Sequence, residues 1–199
     1  MILYLHGFRS APASLKAQAL AQRMGELGLA DAFWCPQLPV APFDAIACVE
    51  AQIARCLAQA DAPRPTLVGS SLGGYYATWL AERHDLRAVL VNPAVVAALS
   101  LEPWLGPQTN LYTGEVFELT RTHLEQLRAL EVPRLQCPQR FWLLAEEGDE
   151  VLDYRDAVAR YAGARQTILP GGDHGFSRWN DYLDEVIAFA QLGEPGHHG

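Results

Sequence analysis

Three features of this 199-residue chain could do chemistry together: a serine set between glycines, a histidine in a glycine-rich loop, and a run of acids. The serine lies in Gly69-Ser70-Ser71-Leu72-Gly73, after an apolar run and ahead of a helical pattern. In a G-x-S-x-G turn between strand and helix, the central serine stands at the apex in a strained backbone conformation, and the glycines leave room for it. That frame puts Ser71 at the centre and Ser70 at the variable position. A helix starting there aims free N–H groups at the place where charge gathers on an attacked carbonyl. A P-loop would need Gly-Lys-Ser/Thr and a dinucleotide turn G-x-G-x-x-G, and the stretch has neither. The plain alternative is a Gly/Ser turn without chemistry.

A serine is a weak nucleophile without a base. The chain has six histidines. His197 and His198 fall in the tail GEPGHHG, which reads as disordered. His84 and His123 stand among charged residues in helical surroundings and read as surface groups. His6 directly follows the first apolar run and is expected to brace its loop by hydrogen bonding. His174, in Leu-Pro-Gly-Gly-Asp-His-Gly-Phe just past the last apolar run, falls at the sheet edge where α/β sites gather, and is the expected base. A neutral imidazole needs an acceptor on its other nitrogen to fix its tautomer. Asp149, in the loop after the run Phe141 to Ala145, is the expected acceptor, with Glu146, Glu147 and Asp153 as alternatives. Asp153 looks more like a helix N-cap, with Asp156 in the first turn. The order Ser71, Asp149, His174 is that of the α/β-hydrolases. The expected oxyanion donors are the backbone N–H groups of Leu72, next after the serine, and Phe8, in the loop after the first strand.

Positioning these groups requires a sheet. Short apolar runs at 2–5, 32–35, 66–68, 88–91, 141–145 and 167–169 alternate with helical patterns at 14–27, 44–60, 72–83, 153–162 and 178–192. Asp44 looks like the N-cap of the second pattern. Strands alternating with helices predict a mainly parallel sheet of about six strands with helices on both faces. If the first strand pairs with the second on one side and the third on the other, winding reverses between them, and His6, Phe8 and Ser71 meet in the crevice at that switch point.

One stretch breaks the alternation. Residues 93–139 carry Pro93, Pro103, Pro107, Pro133 and Pro138, scattered aromatics and one helical pattern near 118–130. Such a length exceeds an ordinary connection and is expected to form a cap over the site; a helix-bearing crossover with a long loop is the bland alternative. Trp104, Leu105, Leu111, Tyr112 and Phe117 either line an acyl pocket or build the excursion's own small core, the latter being the preferred reading.

Composition bounds the rest. Half the residues are hydrophobic and 19% are charged, which suits a single domain over 1–199 with a full core. No apolar run is long enough to span a membrane. The start MILYLHGFRS lacks the basic and long apolar regions of a signal peptide. Cys35, Cys48, Cys56 and Cys137 show no C-x-x-C spacing; Cys48 and Cys56, eight apart on a helical pattern, read as buried apolar thiols. A reduced, cytoplasmic protein is expected. A formal net charge of −8 argues against a nucleic-acid partner. Neither metal nor cofactor is implied, and oligomeric state is unreadable.

The stretches YLHGFRSAPASLKA, VGSSLGGYYATWLAE, VLVNPAV, NLYTGE, GDEVLDYRDAV and GGDHGFS resemble the small bacterial esterase family typified by YqiA, within the α/β-hydrolase superfamily. The resemblance runs through nearly the whole chain. It implies a three-layer α/β-hydrolase fold that opens at the oxyanion-loop strand, without the first two strands of larger members. It also implies a serine esterase acting on acyl esters, acyl-CoA thioesters included, with Ser71, Asp149 and His174 in the nucleophile, acid and base positions. It departs in the histidine loop: some members carry Asn-His-Ala where this chain has Asp173-His174-Gly175, and an acid there bears on the pH optimum. Serine peptidases use the same machinery, and a non-catalytic binding protein on the same fold is the reading from a different class.

Overall fold

The computed structural model describes residues 1–59 and 62–190. The tail with His197 and His198, and the expected helix ends at Ala60 and Leu192, lie outside that range. In chain order the strands and helices are β1 (Ile2–Leu5), α1 (Leu15–Glu26), β2 (Phe33–Trp34), α2 (Pro42–Leu57), β3 (Thr66–Ser70), α3 (Leu72–His84), β4 (Arg87–Val91), α4 (Ala97–Leu101), β5 (Gly106–Thr109), β6 (Val116–Leu119), α5 (Arg121–Ala129), β7 (Phe141–Glu146), α6 (Tyr154–Arg160), β8 (Arg165–Leu169) and α7 (Leu183–Phe189). Six strands form one sheet in the order β2-β1-β3-β4-β7-β8, and every pairing is parallel. The winding reverses between β1 and β3, as the sequence predicts.

The central strands are buried on both faces, which is why they read as unbroken apolar runs. Their side chains still alternate. Leu3, Leu5, Leu90, Phe141 and Leu143 join one core with α2, α3 and α5. Ile2, Tyr4, Val89, Trp142 and Leu144 join the other with α1 and α7. Helices on both faces give the three-layer architecture. No helix among the described residues is long and apolar enough to cross a membrane. Cys56 is buried and Cys48 half-buried, both as free thiols.

Helix boundaries differ from the sequence reading where local chemistry intervenes. α2 begins at Pro42, not Asp44: proline suits the first turn, where its missing N–H has no intrahelical partner anyway, and Asp44 sits in that turn instead. Asp153 does cap α6, accepting the Arg155 N–H at 3.0 Å. The last helical pattern splits into a 3₁₀ turn, Trp179–Tyr182, followed by α7.

The excursion holds a feature that the residue pattern does not announce. β5 and β6 pair as an antiparallel hairpin, with Gly106 opposite Leu119 and Pro107 opposite Glu118. Glycine and proline in β5 leave no alternation to read. Asn110 shapes the turn, its side chain accepting the Tyr112 and Thr113 N–H groups at 2.9 and 3.1 Å. Because Glu118 and Leu119 are strand residues, the helix expected from 118 starts at Arg121, capped by Thr120 and His123 in a reciprocal box. The preferred reading of a separate small core is corrected: Leu119, Leu124, Leu127, Leu130 and Leu135 join the sheet's own core. Leu111, Tyr112 and Trp104 are exposed instead.

Candidate active site

The site starts at the carboxyl edge of two adjacent strands. β1 and β3 pair in register from Ile2 with Thr66 to Leu5 with Gly69, so their following loops leave side by side. Ser70 ends β3 and is buried. Ser71 is the apex, at φ 55° and ψ −121°, directly before α3. A non-glycine residue there carries roughly 1–3 kcal/mol of strain and persists only if its surroundings over-determine it. They do. The Ser71 N–H donates to the Val91 carbonyl at 3.1 Å, while its own carbonyl accepts the Gly74 and Ala94 N–H groups at 3.0 and 3.1 Å. The flanking glycines are needed for close approach: a Cβ on Gly73 would run into the Leu5 carbonyl, and one on Gly69 into the Gly73 carbonyl.

Ser71, His174 and Asp149 lie in one hydrogen-bonded chain, although 103 residues separate the serine from the histidine. Ser71 Oγ is 3.0 Å from His174 Nε2. His174 Nδ1 is 2.8 Å from Asp149 Oδ2 and 3.0 Å from Oδ1. The Asp149 side chain is 2% exposed. Its Oδ1 also accepts the Val151 and Leu152 N–H groups, both at 2.9 Å, so its orientation is set by its own loop. The other acids fall elsewhere. Glu147 is exposed. Asp153 caps α6 and pairs with Arg155.

Glu146 has a different position, one that sequence reasoning did not assign. It is fully buried at the end of β7 and faces the loop that carries His174. Its carboxylate accepts the Asp173 N–H at 2.8 Å, the Ser177 N–H at 3.2 Å and Arg178 Nε at 2.9 Å. A side chain on Gly172 would collide with it. Burial pushes the Glu146 carboxyl up, but the Asp173 N–H, the Arg178 guanidinium and the Ser177 N–H outweigh that and hold it below the usual value. Glu150 takes the His174 N–H at 3.0 Å.

Asn92 and Lys16 were also missed. Asn92, just past β4 at φ 40°, donates from its amide to the Asp173 and His174 carbonyls at 2.9 and 3.2 Å and accepts the Glu146 N–H at 2.9 Å. Its signal was its place at the carboxyl end of a central strand. Lys16, in the first turn of α1, donates to the Gly175 carbonyl at 2.7 Å. Burial lowers the pKa of its ammonium, against the pull of Asp173, Asp149 and Glu146. The available signal was compositional: Lys16 is the chain's single lysine.

Phe8 stands in the turn after β1 and Leu72 opens α3, and neither backbone N–H donates a hydrogen bond among the described residues. His6 braces the loop, as expected. Its Nε2 accepts the Leu38 N–H at 3.1 Å, which leaves the proton on Nδ1 for the Gly7 carbonyl, also at 3.1 Å. Burial lowers its pKa, in keeping with a neutral ring. His84 is half-buried against Glu50 at 2.9 Å, and His123 serves the α5 cap. A cavity of about 250 Å³ opens beside Phe8 and Leu72, and Leu38, Tyr76, Leu101, Phe117, Leu119 and Leu127 form its apolar wall. Of the five excursion residues proposed for a pocket, Phe117 alone lines it; its ring meets Phe8 edge-on at 5.9 Å. Among the described residues, no group of three His, Cys, Asp or Glu is placed to hold a metal ion.

A parallel sheet covered on both faces, with a strained serine turn after a central strand at the winding reversal, is the α/β-hydrolase fold. Solved structures agree on the fold. Est1E from Butyrivibrio proteoclasticus is 14% identical and superposes with a TM-score of 0.68, covering 94% of this chain and 85% of its own. The mouse alpha/beta hydrolase domain-containing protein 10 is 17% identical at a TM-score of 0.69, covering 94% and 89%. A monoacylglycerol lipase from Paleococcus ferrophilus is 16% identical at 0.60, covering 94% of both. Within that fold, the chain belongs to the YqiA family, the uncharacterised protein family UPF0227, whose model matches residues 1–191.

Proposed function

We propose that the protein is a serine hydrolase of carboxylic acyl esters or acyl thioesters. Ser71 is the nucleophile, His174 the general base and acid, and Asp149 the group that orients the imidazole. His174 Nε2 takes the hydroxyl proton as Oγ attacks the acyl carbonyl. The tetrahedral oxyanion is met by the Phe8 and Leu72 N–H groups, donors that need no reorganisation and are worth roughly 3–4 kcal/mol each in comparable sites. His174 then protonates the departing alcohol or thiol, leaving an acyl-enzyme. Water, deprotonated by the same nitrogen, releases the acid. Asp149 stabilises the imidazolium formed at each stage. Residues 93–139 act as a cap, since Leu101, Phe117, Leu119 and Leu127 supply much of the cavity wall.

The observation that carries this reading is the unbroken chain from Ser71 Oγ to His174 at 3.0 Å and on to Asp149 at 2.8 Å. Among the structural neighbours, the Paleococcus ferrophilus protein bears the name of an ester-cleaving enzyme, a monoacylglycerol lipase, which favours esters over peptides. The test uses a fluorophosphonate probe and a panel of p-nitrophenyl and acyl-CoA substrates. Wild type is expected to label and turn over. Ser71→Ala is expected to lose labelling and roughly 10⁴–10⁶ in kcat, as removal of such a nucleophile does. Ser70→Ala is expected to keep labelling. Turnover surviving in Ser71→Ala but lost in Ser70→Ala would reassign the nucleophile, and a wild type inert to both probe and panel would leave a binding protein.

A further inference from the structure

We propose that the cavity beside Phe8 and Leu72 is an acyl subsite selective for acyl groups carrying a hydrogen-bonding oxygen several bonds from the carbonyl, and that Tyr76 is the residue that reads this oxygen. The proposal rests on the hydrolase reading above and deepens it. Two arguments put the acyl chain there. The carbonyl oxygen must reach the Phe8 and Leu72 amides, and both residues line the cavity. The leaving group must lie toward His174, and no residue of the His174 loop lines it.

Most of the polar groups around the cavity are already engaged. His6 uses both ring nitrogens on backbone. Arg9 donates to the Thr109 carbonyl at 2.9 Å. Asn110 donates to the Ser10 carbonyl at 2.8 Å and accepts from Tyr112 and Thr113. Gln37 and Glu115 are exposed and Ser10 is half-buried, and the Gln37 amide donates to the Ser10 carbonyl at 3.4 Å.

Tyr76 is different. It is 3% exposed, yet its hydroxyl makes no hydrogen bond among the described residues. The adjacent Tyr75 hydroxyl, by contrast, donates to the Leu127 carbonyl at 2.7 Å. The Tyr76 hydroxyl is also not walled in: the enclosed side-chain polar atoms that lack a partner are Ser14 Oγ and Glu82 Oε1. It therefore borders open space, and the cavity is the space that Tyr76 lines. Leu72 and Tyr76 are four residues apart on α3, hence on one helix face, with the tyrosine one turn deeper than the oxyanion amide. Burial raises the Tyr76 pKa, so the phenol stays a neutral donor. A buried donor facing an apolar chain stays unsatisfied. Facing a keto or hydroxyl oxygen it is paired, and that difference is a selectivity.

The experiment compares p-nitrophenyl heptanoate with its 4-oxo, 5-oxo and 6-oxo derivatives. The quantity read is the ratio of kcat/KM, oxo over plain, in which any folding defect cancels. Wild type is expected to favour at least one oxo ester by about 10-fold or more, the scale of one hydrogen bond to a group otherwise left unpaired. Tyr76→Phe is expected to bring that ratio to about one. A wild-type ratio near one for every position, or a preference that persists in Tyr76→Phe, overturns the proposal. Calorimetric binding of the same esters to Ser71→Ala separates this from the hydrolase reading. If wild type hydrolyses no ester, but Ser71→Ala binds an oxo ester about 10-fold more tightly and the double variant with Tyr76→Phe does not, the subsite stands and the hydrolysis falls. Equal binding of oxo and plain esters sinks the subsite.

Discussion

At the scale of single residues, four acids at or after the end of β7 (Glu146, Glu147, Asp149 and Asp153) are candidate partners for His174 in the sequence, and their surroundings separate them. Asp149 is the acid whose carboxylate both meets the imidazole and is held by N–H groups of its own loop. Replacing it with asparagine keeps the shape but removes the charge and upsets the tautomer. Asp149→Asn is expected to lower kcat by roughly 10³–10⁴ with KM little changed, as such replacements do in serine triads. Steady-state kinetics on a p-nitrophenyl ester read this directly. A variant within tenfold of wild type would take Asp149 out of the mechanism and return attention to its neighbours. Lys16 shows how a residue can be conspicuous by type alone: fourteen of the fifteen basic residues are arginine, and the one lysine reaches the histidine loop.

At the scale of elements, the loop after β8 has to hold an imidazole in place without secondary structure of its own. Glu146 does much of this from β7, accepting N–H groups at Asp173 and Ser177 while Arg178 closes on it and on the Pro170 carbonyl. Its folded pKa lies below its unfolded value, so its contribution is present above the unfolded pKa of about 4.5 and is lost as pH falls through the folded value. Glu146→Gln is expected to cost about 1–3 kcal/mol at pH 7, the range for a buried polar group that loses a charged partner. The deficit is expected to shrink progressively once pH drops below about 4.5. Urea titrations at neutral and acid pH measure both. A deficit unchanged from pH 7 down to pH 3 would mean that shape, not charge, is what the loop requires.

At the scale of the whole molecule, the sheet's two cores set stability and the carboxyl edge sets function, and the two are separable. Leu90 is fully buried in β4, paired with Gly69 and remote in character from any reacting atom. Leu90→Ala is expected to cost about 2–5 kcal/mol, because it deletes buried methyl groups and leaves a cavity that the rigid sheet fills poorly. Chemical denaturation checks this, and a loss below about 1 kcal/mol would show the core repacking freely. The same division marks what was legible. Period-two burial on both faces, helical spacing, and glycines where backbone meets backbone are local demands, so the strands, their parallel pairing and the apex at Ser71 could be read from residue types alone. The hairpin of β5 and β6 could not, because its glycine and proline carry no pattern and its strands exist only by pairing with each other. Nor could the task of Glu146, beside the expected acceptor Asp149. They are three residues apart and chemically alike; what tells them apart is a loop that returns some 25 residues later and puts backbone N–H groups on one and an imidazole on the other. Local sequence thus determined which elements form and where the serine turns. Contacts between distant segments decided which carboxylate meets the His174 imidazole, because hydrogen-bond partners are chosen by space and not by order along the chain.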